Sequence, residues 1–434
     1  MEYKIVIGGL FGDEGKGVTT QWLAQKAYNE NKVPLVIRYS GGSQAGHTCV
    51  NDNNYHIFSN IGSGALVGAD TLLSNNFLFD PVAFVNEYKD IQKLGVCPKV
   101  YIDSNVRIIT PYDIINGRQD SKIKLDGTCG RGIFPTFKRY NSIYWATSII
   151  HLLFNDDLSY RDYERVKFLK EIAKYYKMPL LSEDPKTKIY QDDFINALDV
   201  LTYFEKEKYI EFVDHSNFKD IIKKYNTLIF EGSQGLLLDM ESGFMPNCTP
   251  SKVGINGIID FFKEYHFSEK GITKFENNNF EVYLPIRTYL TRHGNGYRPI
   301  GSQEIYPYIK DIPETNIFND WQGTFKVGIF NFNLLVRAFD RARLNNYQNC
   351  KYNLVVTHTD ILKFYQYDKD RKEFMYIDKN NQKMYITPLH DDTENWEMED
   401  FTERWLDIVS DNTSKLGIQN IYYNDSMKSD IKKF

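Results

Sequence analysis

The feature that most constrains this chain lies between residues 8 and 17, which read Gly8-Gly9-Leu10-Phe11-Gly12-Asp13-Glu14-Gly15-Lys16-Gly17. An apolar run of buried-strand type, Tyr3-Lys4-Ile5-Val6-Ile7, leads into it, and a helix is expected over residues 18–28. A second strand is expected over residues 33–37, ending in the loop Ser40-Gly41-Gly42-Ser43-Gln44-Ala45-Gly46-His47-Thr48. Strand, helix and strand within about forty residues make a βαβ unit, and therefore a parallel sheet. Leu228-Ile229-Phe230 and Leu354-Val355-Val356 are further buried-strand candidates, each running into polar residues. Such folds bind ligands in the loops at the carboxyl ends of their strands.

The fold expected is α/β: a large, twisted, mostly parallel sheet flanked by helices, with a P-loop-like glycine loop. Residues 145–220 are rich in Lys, Glu, Tyr and Leu at helical spacing, so a mainly helical insertion is expected at about 105–220. No Ser/Gly linker separates two bodies, and residues 1–434 read as one domain. An acidic stretch at 391–403 reads as a solvated face.

Composition narrows the function. Lys and Arg total 52 against 57 Asp and Glu, a net charge of −5, which argues against a protein built on nucleic-acid phosphates. No run of 18 apolar residues is present, so no membrane span is expected. The opening residues carry no signal-peptide pattern, and a cytoplasmic location is the expectation. Five scattered cysteines form no C-x-x-C pair, hence neither a zinc motif nor a disulfide framework.

Glycines between a strand and a helix let backbone N–H groups turn toward a phosphate, and Lys16 adds a point charge. The loop still departs from G-x-x-x-x-G-K-[ST]. Gly9 to Gly15 is one residue too long, and Gly17 stands where Ser or Thr would ligate magnesium. Asp13, a hard oxygen donor, is the substitute metal ligand. Among eight histidines, His47 stands out because it follows a strand within Ala45-Gly46-His47-Thr48; His293, in Thr291-Arg292-His293-Gly294, comes second.

Gly12-Asp13-Glu14-Gly15-Lys16-Gly17 followed by Gly41-Gly42-Ser43-Gln44-Ala45-Gly46-His47-Thr48 resembles adenylosuccinate synthetase, whose pattern is G-D-E-G-K-G and then G-G-x-N-A-G-H-T. Gly127-Thr128-Cys129-Gly130-Arg131-Gly132-Ile133 resembles G-T-T-G-R-G-I, Phe230-Glu231-Gly232-Ser233-Gln234-Gly235 resembles F-E-G-A-Q-G, and Thr357-His358-Thr359-Asp360 resembles T-K-x-D. The blocks keep family order over nearly the whole chain.

The resemblance implies a Mg2+- and GTP-dependent ligase of small molecules. The purine 6-oxygen is phosphorylated by GTP, and the amine of an amino acid then displaces that phosphate. Asp13 would be the base at ring N1 and His47 the acid near the 6-oxygen and γ-phosphate. Asp13 and the Gly46 carbonyl would hold the metal. Gly12, Glu14, Gly15, Lys16, Gly17, Gly46, Thr48 and Asp360 would bind GTP, with the Asp360 carboxylate reading guanine N1–H and its exocyclic amine. Gln44, Thr128, Cys129, Gln234, Thr249 and Arg292 would hold the acceptor nucleotide. A cytoplasmic homodimer is implied as well.

Two departures stand against this pattern. The family's arginine-rich T-T-G-R-x-R-R loop corresponds to Trp321-Gln322-Gly323-Thr324-Phe325-Lys326-Val327-Gly328, which has a single cation. Gly323, Thr324 and Lys326 are the amino-acid loop candidates, with Arg292 or Arg298 as added cations. The arginine that reaches a partner subunit's nucleotide is replaced by Ile143, with Lys138 or Arg139 as substitutes. IMP with L-aspartate is the leading substrate pair. GMP or dGMP as acceptor, another amino acid, and a non-catalytic purine nucleotide sensor are the alternatives.

Overall fold

In the computed structural model, ten strands form one sheet in the order Lys432–Lys433, Ile418–Tyr423, Cys350–Thr357, Phe280–Arg287, β1 (Glu2–Gly8), Thr227–Gly235, β2 (Pro34–Arg38), Asp70–Leu73, Val100–Asp103 and Ile210–Val213. Every neighbouring pair is parallel except Ile418–Tyr423 with Lys432–Lys433. The structure describes residues 1–51, 54–120, 128–142, 149–154, 157–265, 275, 278–297, 320, 321, 323, 325–366, 374–386, 398–425 and 430–434.

The central strands are apolar on both faces, as a doubly covered parallel sheet requires. Ile5, Ile7, Leu35, Ile37, Leu228 and Phe230 pack into the larger core with Phe261 and Phe262. The alternate residues Val6, Val36 and Ile229 face the other way, against Leu23 and Ala24 of helix α1 (Lys16–Asn29). Burying a large aliphatic side chain contributes about 1.5–3 kcal/mol, so these central strands anchor the sheet.

The helical segment differs from expectation in its extent. Helices Pro111–Gln119, Ile133–Ser142, Ile149–Leu153, Leu158–Tyr176 and Pro185–Lys206 fill much of it, but Ile210–Val213 is the sheet's edge strand. Its core also joins the sheet. Phe168, Leu169, Phe194 and Leu198 share one cluster with Val100, Ile102 and Ile210. The acidic stretch enters the helix Met398–Thr413, and residues 391–397 lie outside the described residues. Among the described residues no helix is long and apolar enough to cross a membrane.

Candidate active site

The glycine loop joins β1 to α1 at the carboxyl edge of the sheet. Gly12 and Gly15 adopt φ of +94° and +89°, and Asp13 itself sits at +58°, a conformation that costs a non-glycine residue roughly 1–3 kcal/mol unless its surroundings enforce it. They do enforce it. The carbonyls of three successive residues are tied back to neighbouring strand ends: Thr291 Oγ1 donates to Gly12 O at 3.0 Å, Arg287 Nε to Asp13 O, and Thr357 Oγ1 to Glu14 O at 3.2 Å. Glu14 turns inward beneath the loop, where its Oε1 accepts the Leu10 N–H at 2.8 Å. Burial pushes its carboxyl up to about 8, against the pull of Lys16. Lys16 opens α1, is only 3% exposed, and has its pKa lowered by burial against the opposing effect of Glu14, Asp13 and Glu231.

Gly17 has a steric reason. A Cβ there would lie 2.8 Å from the carbonyl oxygen of Thr48 and 3.1 Å from the carbonyl carbon of His47. Strand β3 (His47–Asn51) runs that close to α1, leaving no room for the Ser or Thr of an ordinary P-loop.

His47 opens β3. Its Nδ1 lies 2.7 Å from Glu231 Oε1, in the strand Thr227–Gly235. The same carboxylate accepts the Ser63 N–H at 3.0 Å and the Ser63 hydroxyl. Glu231 is fully buried. Burial works to raise its pKa but is outweighed by His47, Arg38 and the Ser63 hydrogen bond, which hold it down at about 2. Burial pushes the imidazole of His47 toward its neutral form, opposed by Glu231. Its Nε2 is buried without a partner among the described residues, and His47 lines the cavity. Sequence reasoning gave Glu231 no role. The available signal was a charged residue inside an apolar strand, since a buried carboxylate requires partners.

The cavity has a volume of about 470 Å³. Gly12, Asp13 and Lys16 line it from the glycine loop, Gln44, Gly46 and His47 from the next, and Thr128, Cys129, Gln234, Thr249 and Arg292 from the remaining walls. Several buried polar atoms there lack a partner among the described residues: Gln44 Oε1 and Nε2, Gln234 Oε1, Arg292 Nη1 and His293 Nδ1. Orphaned polar groups converging on a concave site are the mark of a ligand's hydrogen-bonding partners. His293 Nε2 lies 3.6 Å from Asp13 Oδ2.

The lining does not include Glu14, Gly15, Gly17, Thr48, Asp360, Gly323 or Lys326. Asp360 lies in the turn Thr359–Gln366 that follows Cys350–Thr357. Gly323 adopts φ of +77°, and Lys326 donates to the carbonyl of Gly294. Trp321 lies so close to Gly130 that a Cβ there would come within 2.6 Å of its ring, and the guanidinium of Arg118 stands 5.3 Å from the ring centre. Thr324, Arg298 and Ile143 lie outside the described residues. Arg139 cannot reach a partner subunit, which corrects that expectation. It is buried, with two 2.9 Å hydrogen bonds to Asp113 and a third of 2.7 Å to the carbonyl of Ile108. Lys138 is exposed.

Among the described residues no group of three or more His, Cys, Asp or Glu could hold a metal. Magnesium needs no such group, since it is usually held by one or two carboxylates together with substrate phosphates. Asp13, which lines the same cavity as Gly46, is a fitting donor.

A parallel sheet, a braced glycine loop opening a helix, and a histidine–carboxylate pair at one cavity define the class: an α/β protein with a P-loop-like loop at its binding cavity. A profile of adenylosuccinate synthetases matches residues 5–409, and the chain belongs to that family. An adenylosuccinate synthetase of Wigglesworthia glossinidia brevipalpis is 29% identical over 320 residues, 71% of this chain and 66% of that protein. One of Thermoplasma volcanium is 27% identical over 413 residues, 90% and 85% of the two chains. The chain thus spans just under two thirds of the first of these relatives. Two solved structures share the fold. Fully ligated adenylosuccinate synthetase of Plasmodium falciparum has a TM-score of 0.70 at 16% identity, covering 99% of this chain and 98% of that one. Succinoaminodeoxyadenylate synthetase of cyanophage S-2L, bound to dGMP and to dATP as an energy donor, has a TM-score of 0.60 at 12% identity, covering 100% and 95%.

Proposed function

We propose that this protein is a GTP- and magnesium-dependent ligase that joins L-aspartate to the 6-position of IMP. The observation that carries the reading is the convergence of Asp13, Lys16 and the His47–Glu231 pair on one cavity whose remaining orphaned atoms, among the described residues, belong to Gln44, Gln234, Arg292 and His293. A neutral lactam oxygen is a weak nucleophile. Asp13 takes the proton from purine N1, and the 6-oxygen then attacks the γ-phosphorus as the bond to the bridging oxygen of GDP breaks. The aspartate amine next attacks C6, and the C–O bond breaks to release phosphate. Phosphoryl transfer depends on position and cations more than on covalent chemistry. Lys16 supplies one cation at the loop. Glu231 holds the His47 imidazole so that Nε2 meets the γ-phosphate and 6-oxygen, and its charge supports a proton there.

Asp13 and the Gly46 carbonyl would hold magnesium, which adds charge neutralisation between the phosphates. Gln44, Thr128, Cys129, Gln234 and Thr249 would hold the acceptor nucleotide, the Gln234 amide meeting the purine edge. Glu14, Gly15, Gly17, Thr48 and Asp360 would serve GTP from the loop and its flanks. With Lys326 tied to Gly294, the guanidinium groups on the cavity wall are Arg292 and Arg131, and these would meet the aspartate carboxylates.

A second reading is the same chemistry on GMP or dGMP. His293 Nδ1, buried and without a partner beside Asp13, is suited to accept from an amine at purine C2, next to N1. Phosphate release with GTP and magnesium, crossing IMP, GMP and dGMP with a panel of amino acids, separates these readings. Adenylosuccinate from IMP and aspartate is expected. Nucleotide binding without release in any combination would refute the ligase reading in favour of a sensor. The family also leads us to infer a homodimer, which sedimentation equilibrium tests.

A further inference from the structure

Arg38 is the last residue of β2 and is wholly buried. It stands directly opposite Glu231 in the parallel pairing of β2 with Thr227–Gly235. Its guanidinium reaches two segments beside the cavity, the strand Thr227–Gly235 and the turn at Ile61. Nη1 lies 3.9 Å from Glu231 Oε2 and donates to the Ile61 carbonyl at 3.3 Å, at the turn leading to Ser63. Nη2 donates at 3.3 Å to Ser233 Oγ, which in turn donates to the carbonyl of Ser40. Phe77 packs against the guanidinium at 5.4 Å.

We propose that Arg38 is the positioning residue of this site, setting His47 through Glu231 and Ser63 and setting Gln44 and Gln234 through Ser233 and Ser40. The inference rests on the ligase reading and adds to it a residue that touches no substrate. Glu231 alone cannot fix His47, because a carboxylate with one charged partner can rotate. Oε2 accepts the Ser63 N–H with Arg38 Nη1 3.9 Å away, while Oε1 takes the Ser63 hydroxyl and faces His47 Nδ1 at 2.7 Å. A planar fork suits this task because the guanidinium's donors point in fixed, diverging directions, whereas those of an ammonium rotate. The Ser233 arm places the purine-edge amide of Gln234 in the same frame as the histidine. One side chain thereby holds the phosphoryl-transfer side and the acceptor side in register.

The test compares R38M and R38K with the wild type in three measurements: GTP dissociation constant, kcat of phosphate release, and the low-field proton of the His47 Nδ1–H···Glu231 hydrogen bond in ¹⁵N-histidine-labelled protein without substrates. A misplacement of about 1 Å costs on the order of 100-fold in rate. We expect kcat to fall about 100-fold in R38M and about tenfold in R38K, GTP affinity to stay within about threefold, and the low-field proton to shift or vanish. Should R38M not fold, R38K decides by the same three measurements. The proposal is overturned if kcat stays within threefold of wild type in the folded variants, or if the proton signal is unchanged while GTP affinity falls as much as kcat. Absence of turnover in the wild type with every acceptor would count against the ligase reading instead, and the proton signal would still report on Arg38.

Discussion

Replacing Gly17 by Ser restores the hydroxyl of an ordinary P-loop, and the structure predicts damage rather than gain. The new Cβ would meet Thr48 O at 2.8 Å and both the carbonyl carbon and Cβ of His47 at 3.1 Å. Two of these three are backbone atoms of a paired strand, which no rotamer change removes. Either α1 moves away from β3 or His47 moves away from Lys16. Overpacking of this kind costs about 1–3 kcal/mol. Unfolding entropy near 2.1 cal/mol/K per residue gives a chain of 434 residues about 0.9 kcal/mol/K. The melting temperature should therefore fall by only about 1–3 °C. Turnover should fall more, about 10- to 100-fold, because in the proposed function His47 and Lys16 act on the same phosphates. Calorimetry and a phosphate-release assay read the two effects. G17A is the control, since it adds the Cβ without the hydroxyl, and it should lose nearly as much as G17S. A G17S protein that keeps full activity and needs less magnesium would refute the reasoning, because the hydroxyl would then have found both space and a metal.

Glu231→Gln removes the charge that supports His47 and should lower kcat about 100-fold or more while leaving GTP affinity within about threefold; equal activity would remove Glu231 from the mechanism. The same carboxylate sits at about 2 in the fold against 4.5 unfolded, so its stabilisation, about 3 kcal/mol, is complete above pH 4.5 and is lost as pH falls through about 2. Calorimetry from pH 5 to 2 should show a shallower decline in E231Q than in wild type. Glu14 has the opposite sign: its folded pKa is raised to about 8, so its contribution is complete below pH 4.5 and lost as pH rises through 8. E14Q should flatten the fall in melting temperature of the ligand-free protein between pH 5 and 8, and an unchanged slope would show that Glu14 ionises freely.

Much of the fold was legible because the central strands are short apolar runs ending in glycine or polar residues. Residues 3–7, 33–37, 228–230 and 354–356 fall within or beside the observed strands. The first helix begins at Lys16, two residues earlier than expected, because Gly15 in a left-handed conformation starts it inside the glycine run. The strand Ile210–Val213 was hidden by the helical composition before it, and only the sheet's open edge reveals it. The glycine-loop and His47 motifs pointed to one site because each follows a strand at the same edge of the sheet. The supporting residues were not legible. Arg38 and Glu231 lie far apart in sequence and meet through strand pairing, Ser63 joins them from the turn Ser63–Val67, and Arg139 reads as a free cation until Asp113, 26 residues earlier, is found beside it.

The central claim is that the purine 6-oxygen itself attacks GTP. The direct test follows that oxygen with IMP labelled by ¹⁸O at the 6-position, GTP, magnesium and aspartate, weighing the released phosphate by mass spectrometry. The account predicts one ¹⁸O in the phosphate for each adenylosuccinate formed. Phosphate free of label would mean that water, not the purine, took the phosphoryl group, and would contradict the roles given to Asp13 and His47.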